Sequence, residues 1–340
     1  MAPTGVREPA VEAGRFAWAG PRPLPWCVLG TAALLGWFLP DFTASAAAWP
    51  FMIALLVFGM PHGAADWVVA ARLGGRSTVA SRLAGFSGYL LMMAGCTAFL
   101  MWQPAIATLL FLLLTVFHFG MADATSVHAD RDGPAARWCL VVGRGLLLLS
   151  TAFATHPVAA WAPFAEIGAA MSPWPSWAWT PDLRLLQSWA AVGVAAGAVL
   201  AACSAAARAR AGHAHEAAMD LVEHAMVAAL AAFADPLFAV GCFFLGVHAY
   251  RHTRRLACTR SVLEPPPAAD RLVPRLIRVH AISLPLMWPT ALCIAPLCWM
   301  LGGFGVHELA VASIAFYMIT TLPHHLLGLK LPQPDMPPAA

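Results

Sequence analysis

The sequence predicts an all-α, polytopic integral membrane protein, a helix bundle of about ten transmembrane helices in one domain. Three observations carry this. Of 340 residues, 60% are hydrophobic and only 11% are charged, with a mean hydropathy of +0.70; a soluble domain carries about 25% charge. Apolar runs near the roughly 20 residues that a bilayer core demands recur along the whole chain. The basic residues fall into alternate gaps between those runs, as cytoplasmic loops require.

In chain order, residues 1–24 form a polar leader with Arg7, Arg15 and Arg22, followed by a first span at 25–42. The following "TASAAAW" has the small residues of a signal-peptidase site, but the leader is long for a signal, so the span is read as an uncleaved anchor. Further spans are expected at 47–71, 83–102, 104–124 and 137–156. Residues 157–184, rich in tryptophan and proline, read as an interfacial loop. Spans at 185–207, 215–235 and 236–253 follow. Residues 254–280 read as the largest cytoplasmic loop, in which "EPPPAAD" interrupts a basic stretch. The last spans are 281–301 and 308–330, closing the domain at 331 before a disordered, proline-rich tail, 332–340.

With both termini cytoplasmic, this topology puts 18 of the 20 basic residues inside, Arg184 alone outside and Arg144 within a helix. A multi-pass protein of the cell inner (plasma) membrane is the expected setting. The net charge of +3 is absorbed by the loops, and nothing points to nucleic acid. Eight cysteines without a C-x-x-C pair argue against a zinc site and a disulfide framework. They read as small core residues.

The chemistry concentrates in histidines. His62 lies in "GMPHGAADW" on the second expected span, His118 in "FHFGMAD" on the fourth, His248 and His252 in "FFLGVHAYRH" on the eighth, and His324 and His325 in "PHHLLGL" on the tenth. His248 and His252, four apart, share a helical face. Counting from the next inner basic residue, His62, His118, His248 and His324 lie roughly 9–20 Å along their helices at 1.5 Å per residue. Each alone is explained by a hydrogen bond to a neighbouring helix. Four helices bringing imidazoles to one depth point instead to a metal, because ionisable groups in a bilayer usually face one another or a polar cavity.

Asp66 and Asp123 follow His62 and His118 by four and five residues, which suits carboxylates that orient a ligating ring. For Asp123, a solvated loop position is the competing reading. Gly63 and Gly120 let helices approach closely. Imidazoles without thiolates suit iron, copper or zinc. Two other classes remain open on the residues alone: a transporter or proton relay using intramembrane His and Asp, including Asp220, Glu223 and His224, and a haem-binding electron carrier.

These four motifs, in this order, resemble the bacterial and archaeal membrane β-carotene 15,15′-dioxygenases, the Brp/Blh family, over roughly residues 45–331. The resemblance implies Fe(II), O2 as co-substrate and cleavage of β-carotene at its central double bond into two retinal molecules. It implies four catalytic iron ligands, His62, His118, His248 and His252, with His324 a neighbour and not a ligand. Four neutral imidazoles leave an octahedral iron two open positions. Trp67, where a histidine or small polar residue is expected, and the arginine-rich leader depart from the pattern. A hydrocarbon offers no polar handle, so an apolar tunnel must set the cleavage position; Phe244 and Tyr317 are candidates to line it. Membrane lipid would deliver the carotene, and a retinal-binding protein downstream would take the product.

Overall fold

The computed structural model describes residues 22–76, 78–127, 133–173, 181–259 and 272–331. Most of the leader, the tail and "EPPPAAD" lie outside those residues. The described chain is helical, without a strand. It comprises α1 (Pro23–Phe38), α2 (Pro40–Ser45), α3 (Trp49–Leu73), α4 (Val79–Trp102), α5 (Pro104–Val127) and α6 (Pro134–Thr155). There follow α7 (Pro157–Met171), α8 (Leu183–Arg210), α9 (Ala214–Phe233), α10 (236–257), α11 (Leu272–Met300) and α12 (Val306–Gly328).

Among the described residues, seven helices are long and apolar enough to cross a membrane: α3, α4, α5, α6, α8, α11 and α12. The other three expected spans are also helical, but fall short for visible reasons. α1 has 16 residues. α9 carries Glu216, Asp220 and Glu223, and α10 carries two histidines and Arg251.

Two expected loops need correction. Residues 157–171 form α7, started by Pro157 at a position where the missing N–H costs nothing. Its Trp161 turns inward and is buried, so at this position tryptophan marks packing and not an interface. The expected 254–280 loop is shorter than its charge suggested, because α11 begins at Leu272 and buries Arg275.

α5 and α6 cross closely on two glycines. A Cβ at Gly120 would stand 1.9 Å from the Val141 carbonyl oxygen, and one at Gly145 would stand 2.2 Å from that of Val116. Gly63 meets nothing within 4 Å and faces a cavity. Gly120→Ala is therefore expected to cost about 1–3 kcal/mol through overpacking, lowering the thermal midpoint in detergent, while Gly63→Ala leaves it nearly unchanged.

α3 and α10 each contain a π-helical turn, Leu55–Gly59 and Phe244–Ala249. The first has a local cause. Pro61 has no N–H to offer the Val57 carbonyl four residues back and its ring crowds that oxygen; the carbonyl instead accepts from His280 Nε2 on α11. The two wide turns meet where Gly59 lies against Phe244. Such turns shift the residues beyond them around the helix axis, and they recur at functional sites. Here they precede His62 and contain His248.

Candidate active site

Side chains from four helices converge where the two π-helical turns meet. His62 (α3), His118 (α5), His248 and His252 (α10) and His324 (α12) are all buried. Ring centroids lie 5.7 Å apart for His62–His248, 5.2 Å for His62–His252, 5.2 Å for His62–His324 and 5.0 Å for His252–His324. His118 stands 4.6 Å from His248 and 5.2 Å from His324, and the His248–His252 separation is 6.4 Å.

Those spacings can be compared with ligation. A ring bound at about 2.1 Å, with its centroid about 1.1 Å further back, sits about 3.2 Å from the ion; two such rings stand about 4.5 Å apart at right angles and about 6.4 Å apart when opposed. The observed 4.6–6.4 Å spans that interval. Four ring nitrogens of the cluster, His248 Nδ1 and Nε2, His252 Nε2 and His324 Nε2, are buried without a hydrogen-bond partner among the described residues, an arrangement that costs free energy unless something binds them. The donor set therefore fits an imidazole-preferring metal. Among the described residues, however, no group of three or more His, Cys, Asp or Glu side chains is already arranged to hold an ion, so the rings would have to close on one.

Hydrogen bonds fix three rings from behind. His62 Nδ1 donates to the Phe58 carbonyl at 2.7 Å, and His324 Nδ1 donates to Asp66 Oδ2 at 2.7 Å. The same carboxylate oxygen accepts from the Tyr89 hydroxyl of α4 at 2.9 Å. His118 Nδ1 and His325 Nδ1 are 3.2 Å apart, so one donates to the other. Asp66 thus reaches across to α12, where same-helix spacing had paired it with His62. His325 and Tyr89 had no assigned part in the sequence reading. Tyr89 is 23 residues from Asp66 on another helix, a relation that no local motif records.

Asp123 turns away from His118. It accepts from Arg144 at 3.0 Å and pairs with Arg251 at 3.1 Å, and both arginines also pair with Glu223, at 2.9 and 2.7 Å. All four side chains are almost completely buried. The Trp26 indole donates to Glu223 at 2.8 Å, and Arg22 and Arg208 pair with Asp220 at 2.8 and 3.1 Å. The acids that suggested a relay, Asp220 and Glu223, are thus held in ion pairs that tie α1, α5, α6, α8, α9 and α10 together. α5 and α10 show histidines on one face and this network on another.

His62, His118, His248 and His324 floor an apolar cavity of about 210 Å³, and His252 stands outside its lining. Phe244 and Tyr317 both line it, with ring centroids 4.9 Å apart, and Phe244 stacks at 5.7 Å on His248. Further out the walls include Phe111, Phe153 and Phe164. Across residues 53–332 the chain matches the family model described as beta-carotene 15,15'-dioxygenase. No curated protein and no solved structure matches it significantly.

Proposed function

Because this chain belongs to the beta-carotene 15,15'-dioxygenase family, we propose that it cleaves β-carotene with O2 at the central double bond, dependent on iron(II), to give two molecules of retinal. The observation that carries this reading is a cluster of imidazoles at the floor of an apolar, aromatic-walled cavity. His62, His118, His248 and His252 would hold the iron. His324, whose ring is as near to His62, His118 and His252 as rings within that set are to one another, would stand with them. When bound, the iron would supply the electrons that activate O2 toward an alkene.

The chain's own part is placement and exclusion. An apolar wall receives the polyene by shape and keeps bulk water from the reacting bond. Phe244, packed on His248, would press the chain of double bonds against the histidine floor. Donating Nδ1–H to the Phe58 carbonyl and to the Asp66 carboxylate leaves the Nε2 atoms of His62 and His324 to face inward.

Purified chain in detergent, given iron(II), O2 and β-carotene, should yield retinal alone. Longer apocarotenals would move the cleavage off centre, and unchanged carotene with iron bound would defeat the substrate assignment. Asp66→Asn should lower iron affinity about 10–100-fold, as lost outer partners of metal ligands do, read by competition with a chelator. Unchanged affinity would remove His324 from the set.

A further inference from the structure

The cavity lies on one side of the histidine layer. Its lining runs along α12 from Ile314 to His324, along α5 from Phe111 to Phe119 and along α10 from Pro236 to His248, and on each of these helices it ends at or within one residue of the histidine. A symmetric polyene cut at its middle must place one half on each side of the reacting atoms. From Ile314 to His324 the lining runs about 15 Å at 1.5 Å per residue, well short of a whole C40 polyene.

The cavity has a second set of walls. Tyr89, Leu90 and Met93 of α4 and Leu286, Pro289, Thr290 and Cys293 of α11 also line it. These two helices each pack on α12 and make no extended contact with one another. Between them runs a groove floored by α12, and its rim residues Leu90, Pro289 and Cys293 are exposed on the bundle's flank. Both banks reach the histidine layer: Tyr89 bonds Asp66, the partner of His324, and Ser283 of α11 donates to the Pro61 carbonyl beside His62 at 2.6 Å. Pro285, Pro289 and Pro296 each remove a backbone N–H from α11, which eases bending of that bank.

We infer that the groove between α4 and α11 is the entrance from the lipid for a long apolar polyene, and that it holds the half of the molecule the cavity cannot take. This rests on the carotene-cleaving reading and adds the route and the second half-site. Cys293 makes it measurable. Vesicles containing the intact protein, with or without β-carotene, are kept under argon and pulsed with a lipophilic maleimide, and labelling is read by mass spectrometry. Carotene should slow labelling of Cys293 several-fold and leave Cys203, exposed on α8, unchanged. Equal rates at Cys293 with and without carotene would overturn the proposal, and so would equal slowing at both cysteines.

Admitting oxygen to the same vesicles separates the two readings. Retinal formed without protection of Cys293 means entry elsewhere, while protection without retinal leaves the groove standing and removes the activity. Leu90→Trp, which narrows the opposite bank, should slow retinal formation in vesicles several-fold at unchanged iron content; an unaltered rate would count against the groove.

Discussion

Bacteria that accumulate β-carotene and express His248→Ala will stay orange, whereas the same cells with the parent chain will bleach and yield retinal on extraction. His248 is completely buried, and its two ring nitrogens have no hydrogen-bond partner among the described residues. Its ring centroid lies 5.7, 4.6 and 6.4 Å from those of His62, His118 and His252. Loss of an outer partner costs about 10–100-fold in metal affinity or activity, so loss of this ring should exceed about 100-fold. His307→Ala serves as the control. That imidazole is exposed and pairs with Glu166 at 2.8 Å, outside the cavity lining. Bleaching by a well-expressed His248→Ala chain would remove the cluster from the chemistry.

Arg251→Met should produce the largest loss of stability. It leaves Asp123 and Glu223, both fully buried, with Arg144 as the main remaining cation between them. Breaking a buried pair from one side costs about 3–5 kcal/mol, whereas replacing both partners with apolar groups of similar size is often neutral. A fall in folded yield and thermal midpoint is therefore expected, with substantial recovery in Arg251→Met/Glu223→Gln, where the remaining Arg144 faces the single carboxylate of Asp123. If the double variant is no better than the single one, the network does not act as a unit.

The helices and the histidine layer were legible because both rest on periodicity and depth, which are local properties. What escaped were partners. A spacing rule finds only neighbours on the same helix, and so it gave Asp66 to His62 and Asp123 to His118, when their nearest ionic partners sit on α12, α6 and α10. His325 went without a role because it adjoins His324 and points elsewhere on the helix, toward His118. α7 reads as a loop in the sequence because proline and tryptophan are loop and interface residues on average. Inside a membrane bundle, neighbours can accommodate an interior proline such as Pro163.

The buried charge network also constrains how the chain is made. A lone charge at the centre of a membrane helix costs about 2.5–3.5 kcal/mol on insertion, and helices leave the ribosome in order. Asp123 and Arg144 sit on consecutive helices, so α5 and α6 can enter together as a neutral hairpin. α9 comes later with Asp220 and Glu223, and is too acidic to enter on its own composition. It can dock on arginines already waiting just before α1 and within α6 and α8. α10 follows α9, bringing Arg251 to the two carboxylates together with His248 and His252, and α12 adds His324 at the end. Three of the five clustered histidines are thus delivered with or after the arginine that completes the network, so synthesis itself defers the site until the buried charges have been matched.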